Sequence, residues 1–406
     1  MEAKKSRFPT WVMLIGVAAL APIVLVVGVW EYMNATATPL HPDAGKVPTS
    51  ASSETAPRWA ESSENARRLV RDELVERNLP GLSVAVAAGG DIVWAEGFGF
   101  ADLENQAPVT PETRFRIGTA SVALTSAAVG LMMEKGKLDL DAEIQTYVPE
   151  FAKKKWPVTL RQLMAQVAGV PTDSGDEGPL FGQHCARPVD ALEFFAGDDL
   201  WFEPGTRHRR SSYGWILLSA AVEAAAAEPF MLAMKTHVFE PLQMKDTLPD
   251  LATLESAPAP VQGQAISYFP RFAADPRYGP DPMRPIDFSC YAGSSAFLST
   301  PSDLARFAVA INRGKLLKPE TVKLLQTSQR LSTGEETGYG LGWDLETVTI
   351  SGKPTPVVGH NGSLLGGMAV SLMTLPEHGI SVAVASNSSY AGTDSIALKV
   401  ARAFTK

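Results

Sequence analysis

The longest apolar run in the chain comes first. From Trp11 to Trp30 no residue is charged, and Lys4, Lys5 and Arg7 stand just before it. A helix of about 20 such residues spans the hydrocarbon core of a bilayer, and the basic flank marks its cytoplasmic side. A cleavable signal peptide is the competing reading, with Ala35-Thr-Ala37 as the cleavage site. On either reading the rest of the chain is exported. Residues 31–58 are rich in Ala, Thr, Ser and Pro and predict a flexible tether.

Beyond it the pattern changes period. Trp59 to Asn78 has helical spacing through Ala66, Leu69, Val70 and Leu74, and stops before Pro80-Gly81. Leu82 to Ala88 and Ile92 to Gly99 predict a hairpin across Gly89-Gly90-Asp91. Near the other end, Gly338 to Thr349, Gly367 to Leu375 and Ile380 to Ser386 read as strands, and Ser395 to Phe404 as a closing helix. Strands at both ends around a mostly helical middle predict one antiparallel sheet completed by the two termini, with a large helical insertion: an α+β fold. The organisation expected is a basic cytoplasmic stub (1–10), a transmembrane anchor (11–30), the tether (31–58) and one domain (59–406).

The middle is organised around Arg114 to Gly136. Phe115 and Ile117 have strand character, Gly118 turns the chain, and an apolar helix runs to Met133. Thr119 is expected as its N-cap. A hydroxyl at the N-terminus of a buried helix suits acyl transfer, because the free N–H groups there favour developing negative charge.

Composition narrows the function. A net charge of −8 argues against nucleic acid as a partner. The six histidines (His41, His184, His208, His237, His360 and His378) show no paired ligand spacing, so neither zinc nor another cofactor is expected.

The stretch from Phe115 to Phe151, with Lys137-Leu-Asp-Leu-Asp, resembles the first active-site segment of the serine β-lactamase and penicillin-binding-protein superfamily, nearest its class C-like esterase and D-aminopeptidase branch. That family opens the helix with Ser-x-x-Lys, whose amine activates the hydroxyl. Here Thr119 matches the serine and Val122 the lysine; a register shifted to Ser121 puts Leu124 at the lysine position. Phe202-Glu-Pro-Gly-Thr to Trp215 resembles the segment of the catalytic tyrosine, with Arg210 in its place and Ser211 and Ser212 after it. Arginine stays protonated and cannot be the base, but it can hold a carboxylate. Arg207, His208, Arg209 and Arg210 are therefore either a solvated basic loop or an anion-binding patch.

Val358-Gly-His-Asn-Gly-Ser363, placed before a strand, resembles the Lys/His-Thr/Ser-Gly motif that recognises a substrate carboxylate; His360, Asn361 and Gly362, with Ser212, are the binding residues implied. Thr159 to Pro171, Tyr291 to Phe307 and Gly338 to Trp343 extend the resemblance to roughly residues 60–406. By the same resemblance Cys185 and Cys290 border one cleft, so a disulfide is favoured over two free thiols.

The scaffold motifs are kept and the chemical ones are lost. The expectation is a catalytically impaired protein anchored in a bacterial inner membrane, its domain in the periplasm, binding a small-molecule, peptide, peptidoglycan-like or other acidic ligand. The alternatives are a working esterase, D-peptidase or β-lactamase with Thr119 or Ser121 rewired to His360 or His208, and an assembly protein using its outer surface.

Overall fold

The computed structural model describes residues 10–52, 56–172, 180, 182–250, 263–272, 275–283, 286–364 and 367–405. Residues 1–9 of the basic stub lie outside them.

The central sheet has eight strands. Seven follow the order Thr49–Ala51, Asp91–Asp102, Gly81–Ala88, Ile380–Ser386, Met368–Leu375, Lys353–Leu364 and Asp344–Ile350, and Ala107–Pro108 pairs beside Asp91–Asp102. All pairings are antiparallel, and the two ends of the chain meet where Val84 faces Val384.

Period-two alternation gives this sheet two unlike faces. Leu82, Val84, Val86, Val382 and Val384 pack under the terminal helices Ala60–Glu76 and Thr393–Phe404. Ala85, Ala87, Ala383 and Ala385 point the other way, and their small side chains let the helix Pro301–Asn312 lie close. Glu73 ties the two terminal helices together, accepting from Arg77 and Lys399.

The inserted helical half is built on Ser121–Glu134 and Ser212–Ala226, both buried around most of their circumference. Hydroxyls pin the first of these: Thr125 Oγ1 donates to Gly293 O at 2.8 Å and Ser126 Oγ to Leu341 O at 2.5 Å. Gly293 must be glycine for this contact, since a Cβ there would lie 2.4 Å from Thr125 Oγ1. Cys185 and Cys290 are disulfide-bonded, joining the insertion to the turn before Ala292–Ser295.

Three local expectations differ. The tether is packed rather than loose: His41 is buried and stacked on Phe100, Val47 enters the core, and Thr49–Ala51 adds an edge strand. These few side chains, with the Leu40 N–H donating to Asn78 Oδ1 at 2.7 Å, override a polar composition. The predicted strand Gly338–Thr349 begins only at Asp344, because Gly338 and Gly342 adopt positive φ and turn the chain. Val358 to Ser363 precedes the expected strand, Met368–Leu375, but itself belongs to a strand, Lys353–Leu364.

Candidate active site

A cleft of about 160 Å³ lies between the two buried helices and the strand Lys353–Leu364. Thr119, Val122, Gln166, Thr172, Arg210, Ser211, Ser212, Trp215, Ser294 and His360 line it. Five distant stretches of the sequence therefore converge, and Thr119, Val122, Arg210, Ser212 and His360 share one surface.

Thr119 is not an N-cap. The chain enters the helix through the 3₁₀ turn Gly118–Ala120, Ala120 holds the cap position, and no side chain caps it. The hydroxyl of Thr119 instead donates to the main-chain carbonyl of Asn361 at 3.1 Å. Gly362 makes this approach possible, since a Cβ there would fall 2.1 Å from Ile117 O and 2.8 Å from Ala120 N. Close strand-to-turn contact takes the hydroxyl that local propensity assigns to capping.

His360 is buried, and desolvation lowers its pKa to about 4. Its Nδ1 lies 2.9 Å from Asn361 O, which only accepts, so Nδ1 carries the proton of the neutral ring. Nε2, 3.2 Å from Tyr339 Oη, then accepts from the phenol. Burial raises the Tyr339 pKa, so this phenol stays a donor.

Arg210 forms an ion pair with Asp344, and its guanidinium lies 5.2 Å from the centre of the Tyr339 ring. The anion patch expected from the basic loop is thus partly neutralised from within. His208 packs against Tyr339 with ring centres 5.5 Å apart. Burial, then the charge of Arg210, lowers its pKa. Arg209 covers the Trp201 ring at 3.9 Å, and Arg207 is exposed.

The remaining expected residues are placed as follows. Ser121 is fully buried and its Oγ has no hydrogen-bond partner among the described residues, so it does not reach the cleft. Asn361 offers the cleft side its carbonyl, while its amide oxygen accepts from Ser371 Oγ at 2.6 Å. Ser211 caps the helix Ser212–Ala226, accepting from the Gly214 N–H, and leaves Ser212 at the cleft wall. Gln166, which stands where the resembled Leu-Leu-x-His-Thr-Ser-Gly segment has its histidine, lines the cleft. Tyr339 and Asp344 were not singled out from the sequence; the first lies in the kept motif Gly338-Tyr-Gly-Leu-Gly-Trp343 and the second follows it, and that motif was the available signal. Among the described residues no three His, Cys, Asp or Glu side chains converge as a metal site.

The Beta-lactamase family model matches residues 66–405. The chain belongs to the β-lactamase family. A β-lactamase-family relative, the mouse (Mus musculus) "Serine beta-lactamase-like protein LACTB, mitochondrial", is 26% identical, over 90% of this chain and 84% of its own. The octameric penicillin-binding protein homologue from Pyrococcus abyssi superposes with a TM-score of 0.67 at 25% identity, covering 84% of this chain and 78% of that one. The D-amino acid amidase from Ochrobactrum anthropi SV3 shares the fold, with a TM-score of 0.69 at 22% identity, covering 85% of this chain and 98% of that one.

Among the described residues no side-chain base is hydrogen-bonded to the Thr119 hydroxyl. The Thr119 hydroxyl donates to a carbonyl, which cannot remove its proton. Val122, buried and apolar, stands one helical turn on, where an amine would reach. The neutral imidazole of His360 bonds to Asn361 O and Tyr339, not to Thr119.

Proposed function

We propose that this chain is a membrane-anchored, exported member of the family that has lost hydrolysis and keeps its cleft to bind a peptide, a peptidoglycan-like fragment or another acidic ligand. The observation that carries the first half is the Thr119 hydroxyl committed to Asn361 O with Val122 beside it. A hydroxyl nucleophile needs a base within hydrogen-bond reach, and none is bonded to this one among the described residues. Binding is supported by Arg210, half-exposed at the cleft, and by Trp215, whose buried Nε1–H has no partner among the described residues. A cavity of about 160 Å³ suits a terminal carboxylate and one small side chain rather than a drug-sized molecule. The apolar helix Thr10–Thr36, the basic residues before it and the disulfide support a single-pass anchor with the domain in the periplasm.

The test is acylation. Protein would be treated with a fluorescent penicillin and with a fluorophosphonate and read by intact mass, beside a variant carrying Thr119→Ser, Val122→Lys and Arg210→Tyr. The expected result is an unmodified wild type and a labelled variant. A single acyl adduct on wild-type Thr119 would overturn the reading and make this a working hydrolase.

A further inference from the structure

The helix Thr10–Thr36 leaves the domain with Leu20, Ile23, Val24, Leu25, Val26, Val27 and Val29 all about half or more exposed. Apolar side chains this exposed among the described residues fit lipid. Its uncharged stretch ends at Trp30. Thr36 follows six residues later, about 9 Å further along the axis at 1.5 Å per residue.

Within that short rise the helix is already bound to the domain. Tyr32 meets the edge of Phe272 with ring centres 6.4 Å apart, and Met33 is buried. Arg271 Nη2 donates to Thr36 O at 3.0 Å, closing the helix end. The chain then runs straight into the contacts of Leu40 and His41 with Asn78 and Leu79. No slack separates membrane helix and domain. The polar headgroup region on each side of a bilayer is roughly 5–7 Å thick, so a turn clasping the helix over this interval must lie in or against it.

We propose that the exposed end of the strand pair Tyr268–Pro270 and Pro280–Pro282, with Arg271, Phe272 and the turn Pro276–Tyr278, rests in the headgroup layer of the bilayer that the chain's own helix spans. This rests on reading that helix as a membrane span. Phe272 lies at the acyl boundary beside Tyr32, where aromatic rings are favoured. Arg271 uses Nε and Nη2 for Tyr278 O and Thr36, and its Nη1 donors, unbonded among the described residues, meet lipid phosphate. The domain is thus held at one orientation on the membrane instead of swinging from a tether.

The test uses the full chain in nanodiscs of phosphatidylethanolamine and phosphatidylglycerol. Because both native cysteines are bonded, nitroxide can be attached singly at Phe272→Cys, Arg277→Cys, Val24→Cys or Glu335→Cys. Collision with oxygen and with a water-soluble nickel chelate then reports depth. The expected result is Val24 shielded from the chelate, Phe272 and Arg277 shielded severalfold relative to Glu335, and Glu335 open. Val24 shielded with both Phe272 and Arg277 as open as Glu335 would overturn the docking and leave the anchor standing. Val24 open to the chelate would remove the anchor and the docking together. The Arg277 label guards against a local disturbance of the Phe272 contact.

Discussion

Tyr339 donates its phenolic proton to His360 Nε2, a ring that burial keeps neutral in the wall of the cleft. Protonation at Nε2 would force this bond to reverse its direction, and burial already penalises the charged form. The family motif here supplies a fixed neutral dipole rather than a cation.

Acid should therefore destabilise the protein through this ring. The folded pKa is about 4 against an ordinary 6.5, so the unfolded chain binds more protons between those values. The stabilisation is complete above about pH 6.5 and is lost as pH falls through 4, on the order of 3 kcal/mol in all. His208, also lowered, adds in the same direction. Urea unfolding from pH 7.5 to 4 should show this slope, and His360→Asn should flatten much of it. Parallel slopes in both proteins would assign the effect elsewhere.

Arg210→Ala should separate binding from stability. The ion pair with Asp344 is open to solvent on the arginine side, so its loss should cost under about 1 kcal/mol. Binding of N-acetyl-D-alanyl-D-alanine, followed by NMR shifts of cleft residues, should weaken at least tenfold, about 1.4 kcal/mol. Unchanged binding would exclude Arg210 as the carboxylate site.

Gly362→Ala should be among the more damaging single-methyl additions. The new Cβ would overlap Ile117 O and Ala120 N, forcing the turn bearing Thr119 off the strand at a cost of roughly 2–3 kcal/mol. Gly197→Ala, with nothing within 4 Å, is the control and should be near neutral. Calorimetry of both variants decides whether this approach is as tight as the distances say.

Removing the disulfide should cost about 2–5 kcal/mol, because Cys185 and Cys290 close a loop across a separation of 105 residues. The Cys185→Ser, Cys290→Ser double variant should unfold at lower denaturant than wild type. Equal midpoints would show that packing around Ser289 already restrains the loop.

The sheet was legible because its residues alternate: Leu82, Val84 and Val86 against Ala85 and Ala87 announce a strand with a bulky face and a small one. The meeting of Thr119, Val122, Arg210 and His360 was legible because motif spacing survives the loss of motif chemistry. Tyr339 and Asp344 escaped, since their partners His360 and Arg210 are brought to them only by the glycine turns around Leu341. Thr119 was misread as a cap because capping is a local preference, whereas its partner Asn361 lies 242 residues away. The packed stretch before Trp59 was missed for a similar reason. Two or three anchoring side chains, His41 and Val47 among them, decide its course, and average composition does not register them.

The pairing of Gly81–Ala88 with Ile380–Ser386 also sets an order of events during synthesis. The first hairpin leaves the ribosome almost three hundred residues before its neighbour exists. Until then it presents a bare strand edge that other chains can join. Closure of the sheet is thus a late step, delayed until nearly the whole polypeptide has emerged. Under the export proposed above, a chain built this way suits transport in an extended form, with folding completed after it.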